Sequence, residues 1–280
     1  MSDILETLAQ LSVLVFVISS MLSMGLSLTT KQIIEPLKDT RLVILALVAN
    51  FVVVPVAAIA ITLVMTLPES IEVGLILISM AAGAPFLPKL VEVAKGNTAF
   101  SVGLMVLLMV VTIVFLPIVL PLVLQGVEVN PLDIAQSLVI MMLIPLSIGL
   151  FIKARYEDSA EKIRPTFAMA ANIGILVLIV LGVVLNFEAM IALIGSLGIL
   201  AALIFLAVSV GAGYLMGGSD RSIKSVMALG TGQRNIAAAL VVAAQNFDTD
   251  VVTYVLVFAL IGFVVLFPVA GELGKRSQAT

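Results

Sequence analysis

Cysteine and histidine are both absent from this sequence. Without cysteine there is no disulfide framework and no thiolate to act as nucleophile or metal ligand. Without histidine the usual proton switch and commonest metal ligand are missing too. Charge is scarce: 11% of residues are Asp, Glu, Lys or Arg, against about 25% in soluble domains. No H-E-x-x-H motif and no G-x-x-x-x-G-K-[ST] loop occurs. These absences argue against an enzyme, a metal centre, a bound cofactor, a nucleic-acid partner, or an ATP-driven pump built on this chain alone.

What is abundant is apolar. The chain is 62% hydrophobic, with a mean hydropathy of +1.29, which places it in the bilayer as an all-α polytopic membrane protein. A span needs roughly 20 apolar residues. Segments near 5–28, 41–66, 71–95, 98–125, 132–154, 165–187, 190–217, 222–246 and 250–272 qualify, predicting nine transmembrane helices in one domain over residues 1–280. The acidic start "MSDILETLAQ" lacks the basic region of a signal peptide, so the first span is expected to be retained.

Lysine and arginine set the orientation. Twelve of the fourteen basic residues (Lys31, Lys38, Arg41, Lys95, Lys153, Arg155, Lys162, Arg164, Arg221, Lys224, Lys275 and Arg276) fall on one side of a nine-helix arrangement. The opposite loops carry none. The expected topology is N-terminus outside and C-terminus cytoplasmic, in a plasma or inner membrane.

The two remaining cations, Lys89 and Arg234, lie inside helices that the sequence interrupts. "MAAGAPFLPKLVEVAKGN" places Gly83, Pro85 and Pro88 within six residues, and proline removes a backbone donor and clashes with the preceding turn. "GTGQRN" places Gly230 and Gly232 before Gln233, Arg234 and Asn235. Unwound backbone in a bilayer must be buried in protein or line a wet cavity. Two discontinuous helices in corresponding halves point to a secondary transporter built from inverted repeats. The half-helix N-termini near Lys89 and Asn235 attract anions.

An intramembrane arginine costs at least about 2.5–3.5 kcal/mol, so Arg234 needs a reason. It contacts an anionic substrate, or serves as a built-in cation holding the crossing helices, or pairs with Glu92. Lys89 and Glu92 are three apart and can touch; a buried lysine can also titrate near neutrality. Thr231, Gln233 and Asn235 supply further polar groups at the second break, and Asn50 braces the crossing. The substrate-binding candidates are Arg234, Asn235, Thr231, Gln233 and Lys89. Asn172, Thr112 and Ser209 read as ordinary polar residues of membrane helices. Small residues in "GSLGILAALIFLAVSVGAGYLMGG" suit close helix packing and are compatible with a homodimer.

These stretches carry a resemblance. "SMLSMGLSLTTKQI", "LALVANFVVVPVAA", "AAGAPFLPKLVEVAKGNTAFSV" and "GTGQRNIAAALVVAAQNF" resemble, in order and spacing, segments of the bile acid:sodium symporter family, over roughly residues 15–265. The resemblance implies a panel domain (helices near 5–28, 132–154 and 165–187) and a core domain (41–125 and 190–272). The two broken helices would cross in the core, and an organic anion would move between the domains by alternating access. It also implies where sodium would bind, and there the sequence departs. Gly230 stands where the family has glutamate, Arg234 where it has glutamine, and Leu87 and Pro88 where it has a serine–asparagine pair. Asn50 replaces a glutamine, while the hydroxyl of Ser101 is kept. A guanidinium about 4 Å from sodium repels it by roughly 4 kcal/mol at an effective dielectric of 20, so sodium is disfavoured. The expected function is an organic-anion carrier; the alternative is a non-transporting membrane receptor or channel-like protein on the same fold.

Overall fold

A computed structural model describes residues 2–124, 130–185 and 196–278, all helix, turn or irregular chain with no strand among them. The helices are α1 (Ser2–Gly25), α2 (Thr30–Ile34), α3 (Thr40–Val64), α4 (Glu69–Met80), α5 (Leu87–Val93) and α6 (Thr98–Val123). They continue as α7 (Pro131–Arg155), α8 (Glu157–Leu185), α9 (Gly198–Met216), α10 (Arg221–Gly232), α11 (Ile236–Asn246) and α12 (Thr249–Gln278).

Eight stretches are long and apolar enough to cross a membrane: α1, α3, α6, α7, α8, α9, the α10–α11 pair and α12. The crossing expected near 71–95, with an interruption inside it, is two pieces of 12 and 7 residues. At 1.5 Å per residue neither piece reaches across about 30 Å of hydrocarbon. The first part of the helix expected at 190–217 lies outside the described residues.

Two connectors expected as loops are largely helical. "KARYEDSAEKIR" is consumed by the end of α7 and the start of α8, with Tyr156 between them. Lys153 explains why: it pairs with Glu157 at 2.9 Å and Glu161 at 3.1 Å, while Glu157 and Asp158 suit the positive end of α8. "TTKQIIEPLKDTR" holds α2 and a 3₁₀ turn at Glu35–Lys38.

Both α3 and α7 contain one π-helical turn, at Ala49–Val53 and Val139–Leu143. Each is followed within two residues by a proline, Pro55 or Pro145. A proline ring collides with the carbonyl four residues back, and a wider turn relieves that clash without breaking the helix. The first of these turns carries Asn50 inward.

The largest helix pairings fall in two places, while α6 also packs on α7 and α1 on α11. α1 lies along α8 and against α7, while α9 lies along α10, and α4, α5, α10 and α11 pack on α12. Glycine makes the packing around α1 tight: a Cβ at Gly149 would meet the Leu22 carbonyl and Gly25 backbone, and one at Gly174 the Phe16 backbone. Lipid-facing positions stay apolar, as with Leu63, Val64 and Leu215. The pair α10–α11 is 94% buried over its most apolar window, so the second interruption sits inside protein.

Candidate functional site

α10 ends at Gly232 because the chain turns extended at Gln233. Glycine is needed there for space: a Cβ at Gly232 would lie 2.5 Å from Val210 Cγ2 on α9. Three residues after Gly232, Asn235 caps α11, its Oδ1 accepting from Ala238 N at 3.1 Å. An asparagine cap satisfies a donor that the first helical turn leaves open. The same side chain donates through Nδ2 to Gly83 O at 3.1 Å, and its backbone N donates to Ala81 O at 2.8 Å. Asn235 therefore stitches the second interruption onto the first.

The first interruption leaves α4 at Met80 and is irregular until α5 begins at Leu87. Gly83 has φ +80, a conformation costly for residues with a Cβ. That Cβ would also collide with the backbone of Met109 on α6. The close approach brings in Thr112, whose Oγ1 accepts from Ala82 N at 2.9 Å and donates to Ala82 O at 3.1 Å. One hydroxyl thus pairs both backbone groups of an unwound residue, as a dry interior requires.

Arg234 fills the space between the interruptions and is 2% exposed. Its Nε donates to Ile78 O at 3.1 Å and its Nη2 to Ser79 O at 2.6 Å. Its Nη1 donates to Thr231 O at 3.1 Å and to Asn50 Oδ1 at 2.8 Å. Four of the five guanidinium donors are thereby engaged. Asn50 is held by its own Nδ2, which donates to Ala46 O at 3.0 Å and to Thr231 Oγ1 at 3.3 Å.

The counter-charge is backbone. Ile78 and Ser79 belong to the last turn of α4, and Thr231 to the last turn of α10. Each helix C-terminus carries roughly half a negative charge on its unpaired carbonyls. Two such ends together offset about one positive charge. Among the described residues no carboxylate pairs with Arg234, so the pairing with Glu92 does not occur. Glu92 instead bonds Lys89 at 2.8 Å, with side chains 51% and 63% exposed. Lys89 is thus a surface residue rather than a buried one, because α5 turns its charged face outward.

The remaining expected positions separate from this cluster. Leu87 is buried, and a Cβ on Gly230 would lie 3.2 Å from its Cδ2 and 3.4 Å from Leu104 Cδ2. Pro88 opens α5. Ser101 donates back to Thr98 O at 2.7 Å within α6. Leucine therefore packs on Gly230, while the nearby oxygens Thr231 O and Asn50 Oδ1 already bind a guanidinium. These residues do not fit a sodium ion, which needs several free oxygen ligands.

Beside the interruptions lies a cavity of about 510 Å³, between α1 and α8 on one side and α11, α12 and both breaks on the other. Its polar lining includes Ser20, Ser23, Ser27, Arg164, Asn172 and Gln233. Arg234 also reaches it, whereas Thr231, Asn235 and Lys89 are absent from its wall. Gln233 Oε1 is buried with no hydrogen-bond partner among the described residues. Arg164 is exposed and likewise has none there. The sequence reading missed Thr112, Arg164, Asn172 and the three serines. The serines did carry a signal, since spacings of three and four put them on one helix face.

A family model described as "Sodium Bile acid symporter family" matches residues 14–193. That span holds the second half of α1, the first interruption and Asn50; Arg234 lies beyond it. The protein named "Uncharacterized sodium-dependent transporter YocS" from Bacillus subtilis (strain 168) is 25% identical over 160 residues. The match covers 57% of this chain and 50% of that protein, so the chain spans about half the length of this relative.

Proposed function

The chain belongs to the sodium bile acid symporter family, and from that premise we propose that it is a secondary transporter of an organic anion. It acts by alternating access and is not an enzyme. The observation that carries this reading is the cavity of about 510 Å³ bounded on one side by α1 and α8 and on the other by both interruptions. A site walled by helices of two sets opens to either side when one set tilts against the other. α1, α7 and α8 form the panel, and the remaining long helices the core. With α4 and α5 counted together the chain crosses the membrane nine times, N-terminus outside and C-terminus cytoplasmic. The membrane is the plasma or inner membrane.

The wall sets the chemistry of the cargo. Arg164 stands at the cytoplasmic end of α8 with its guanidinium open, and suits a carboxylate or sulfonate. Phe16, Phe86 and Phe263 take an apolar body. Gln233 Oε1, deep in the site, accepts from a hydroxyl. Arg234 keeps one N–H for the cargo and has given the others to the crossing.

The test is a panel of organic monoanions spanning bile acids, sulfated steroids, keto acids and pantoate-like hydroxy acids. Each is scored by thermal stabilisation of the purified protein and by saturable flux into vesicles. At least one should do both, and Arg164→Ala should weaken it by about tenfold, the cost of roughly 1.4 kcal/mol. Binding without flux would favour a receptor, and neither would overturn the reading.

A further inference from the structure

We infer that Arg234 is a resident cation, and that the chain therefore moves its anion without a coupling ion, as an electrogenic uniporter whose net flux under an inside-negative potential is outward. This rests on the carrier reading above. Four oxygens, the carbonyls of Ile78, Ser79 and Thr231 and Oδ1 of Asn50, converge on the guanidinium from three helices. An uncharged oxygen cage at two helix C-termini is the environment a bound metal cation would need. Here a covalently attached cation fills it, and Leu87 closes the neighbouring space over Gly230.

A coupled carrier binds its ion on one side and releases it on the other. A tethered guanidinium cannot be released. Whatever part of the field it crosses with the loaded carrier, it recrosses with the empty one. The net charge moved per cycle is then the cargo's alone. The crossing is also held together without any ion, so the empty carrier is competent to return.

Nothing else in the described interior can take over the coupling. Arg234 is the only buried charged side chain among the described residues, so no buried carboxylate is there to load and unload a proton. Lys89 and Glu92 are half exposed and paired with each other. Among the described residues nothing else supplies coupling, which leaves the cargo's own gradient and the potential as the driving forces. For one negative charge the potential is worth about fifty-fold in concentration per 100 mV, favouring the outside. Such a carrier disposes of an anion made inside the cell rather than scavenging one.

The experiment uses the full chain in liposomes with labelled taurocholate as probe anion, in sodium-free choline buffer. Valinomycin and potassium gradients set the potential, and the final distribution is read, which does not depend on how the protein is oriented. The expected distribution follows the potential, approaching about fifty-fold exclusion per 100 mV interior negative. Adding a tenfold sodium gradient or a one-unit pH gradient at clamped potential should shift it by less than about twofold. A distribution that follows the sodium or proton gradient overturns the inference while leaving the carrier intact. No protein-dependent flux of taurocholate or of any other anion of the panel, under any condition, overturns the carrier reading, and the inference with it.

Discussion

The interruption at residues 81–86 and the one at 233–235 face each other across the centre of the molecule, and they bring different things. The first is long, apolar in its side chains and built on backbone: Ala81 O and Gly83 O accept from Asn235, and the turn before it offers Ile78 O and Ser79 O to Arg234. The second is short and supplies the donors through two consecutive polar residues, the side chains of Arg234 and Asn235 and the backbone N of Asn235. One break is an acceptor surface and the other a donor surface. A pair of similar breaks joined only by backbone would leave two sets of carbonyls facing each other, each orphaned and mutually repulsive. The difference shows that a crossing of this kind can be closed by sequence rather than by a bound ion.

Removing the donor side should have the largest effect. Arg234→Ala strips the partners from three carbonyls and Asn50 Oδ1, costing about 1–3 kcal/mol for each group that stays dry. Transport should be abolished, and melting should fall steeply. Arg234→Lys should recover little, since a point charge does not span two helix ends. Parent-like flux and melting in Arg234→Ala would show that the two breaks hold without it.

On the acceptor side, Thr112→Val keeps the shape of the side chain but unpairs both backbone groups of Ala82. The expected loss is about 1–3 kcal/mol per group, read as a lower melting temperature in detergent. Ser209→Ala is the matched control. Ser209 Oγ is buried with no partner among the described residues, so this change should be neutral or slightly stabilising. Equal losses in the two variants would contradict the role assigned to Thr112.

Away from the crossing the effects should be small. Glu92→Gln breaks an exposed pair and should cost no more than about 1 kcal/mol, leaving flux near the parent's. A larger loss of flux would return Glu92 to the site.

Asp220 tests the smallest term. It caps α10, accepting from the backbone N of Ser222 at 2.7 Å and of Ile223 at 3.4 Å. Hydrogen bonding from the Ser222 side chain, then from these backbone groups, holds its carboxyl below the usual range. A lowered carboxylate contributes stability that is present above its unfolded range and fades as pH falls through its folded one. Asp220→Asn should lower melting slightly at neutral pH, converge on the parent in acid, and so flatten the acid limb of the melting profile.

Much of this arrangement was legible in the residues. Apolar runs located the long helices, Gly83 and Pro85 located the first break, and "GTGQRN" located the second, although Gly230 and Gly232 themselves stay helical. The isolated Arg234 marked the centre of the crossing. What stayed hidden depends on three-dimensional approach. Thr112 looked like any threonine in a membrane helix, because its partner is backbone thirty residues earlier. Lys89 looked buried because it follows a break, but its direction is set by how α5 rotates. Arg164 sat among loop cations until α8 proved to begin at Glu157, which made it part of a helix wall.

The claim that Arg234 stands in for a mobile cation is tested most directly by melting the parent and the Arg234→Gln, Gly230→Glu double variant in equal concentrations of sodium and potassium chloride. The double variant restores a carboxylate and frees the oxygens of Thr231 and Asn50; the Glu side chain enters by displacing the flexible ends of Leu87 and Leu104. The account predicts identical parent curves in the two salts and a sodium-specific rise in the double variant. A sodium-specific rise in the parent itself would contradict it.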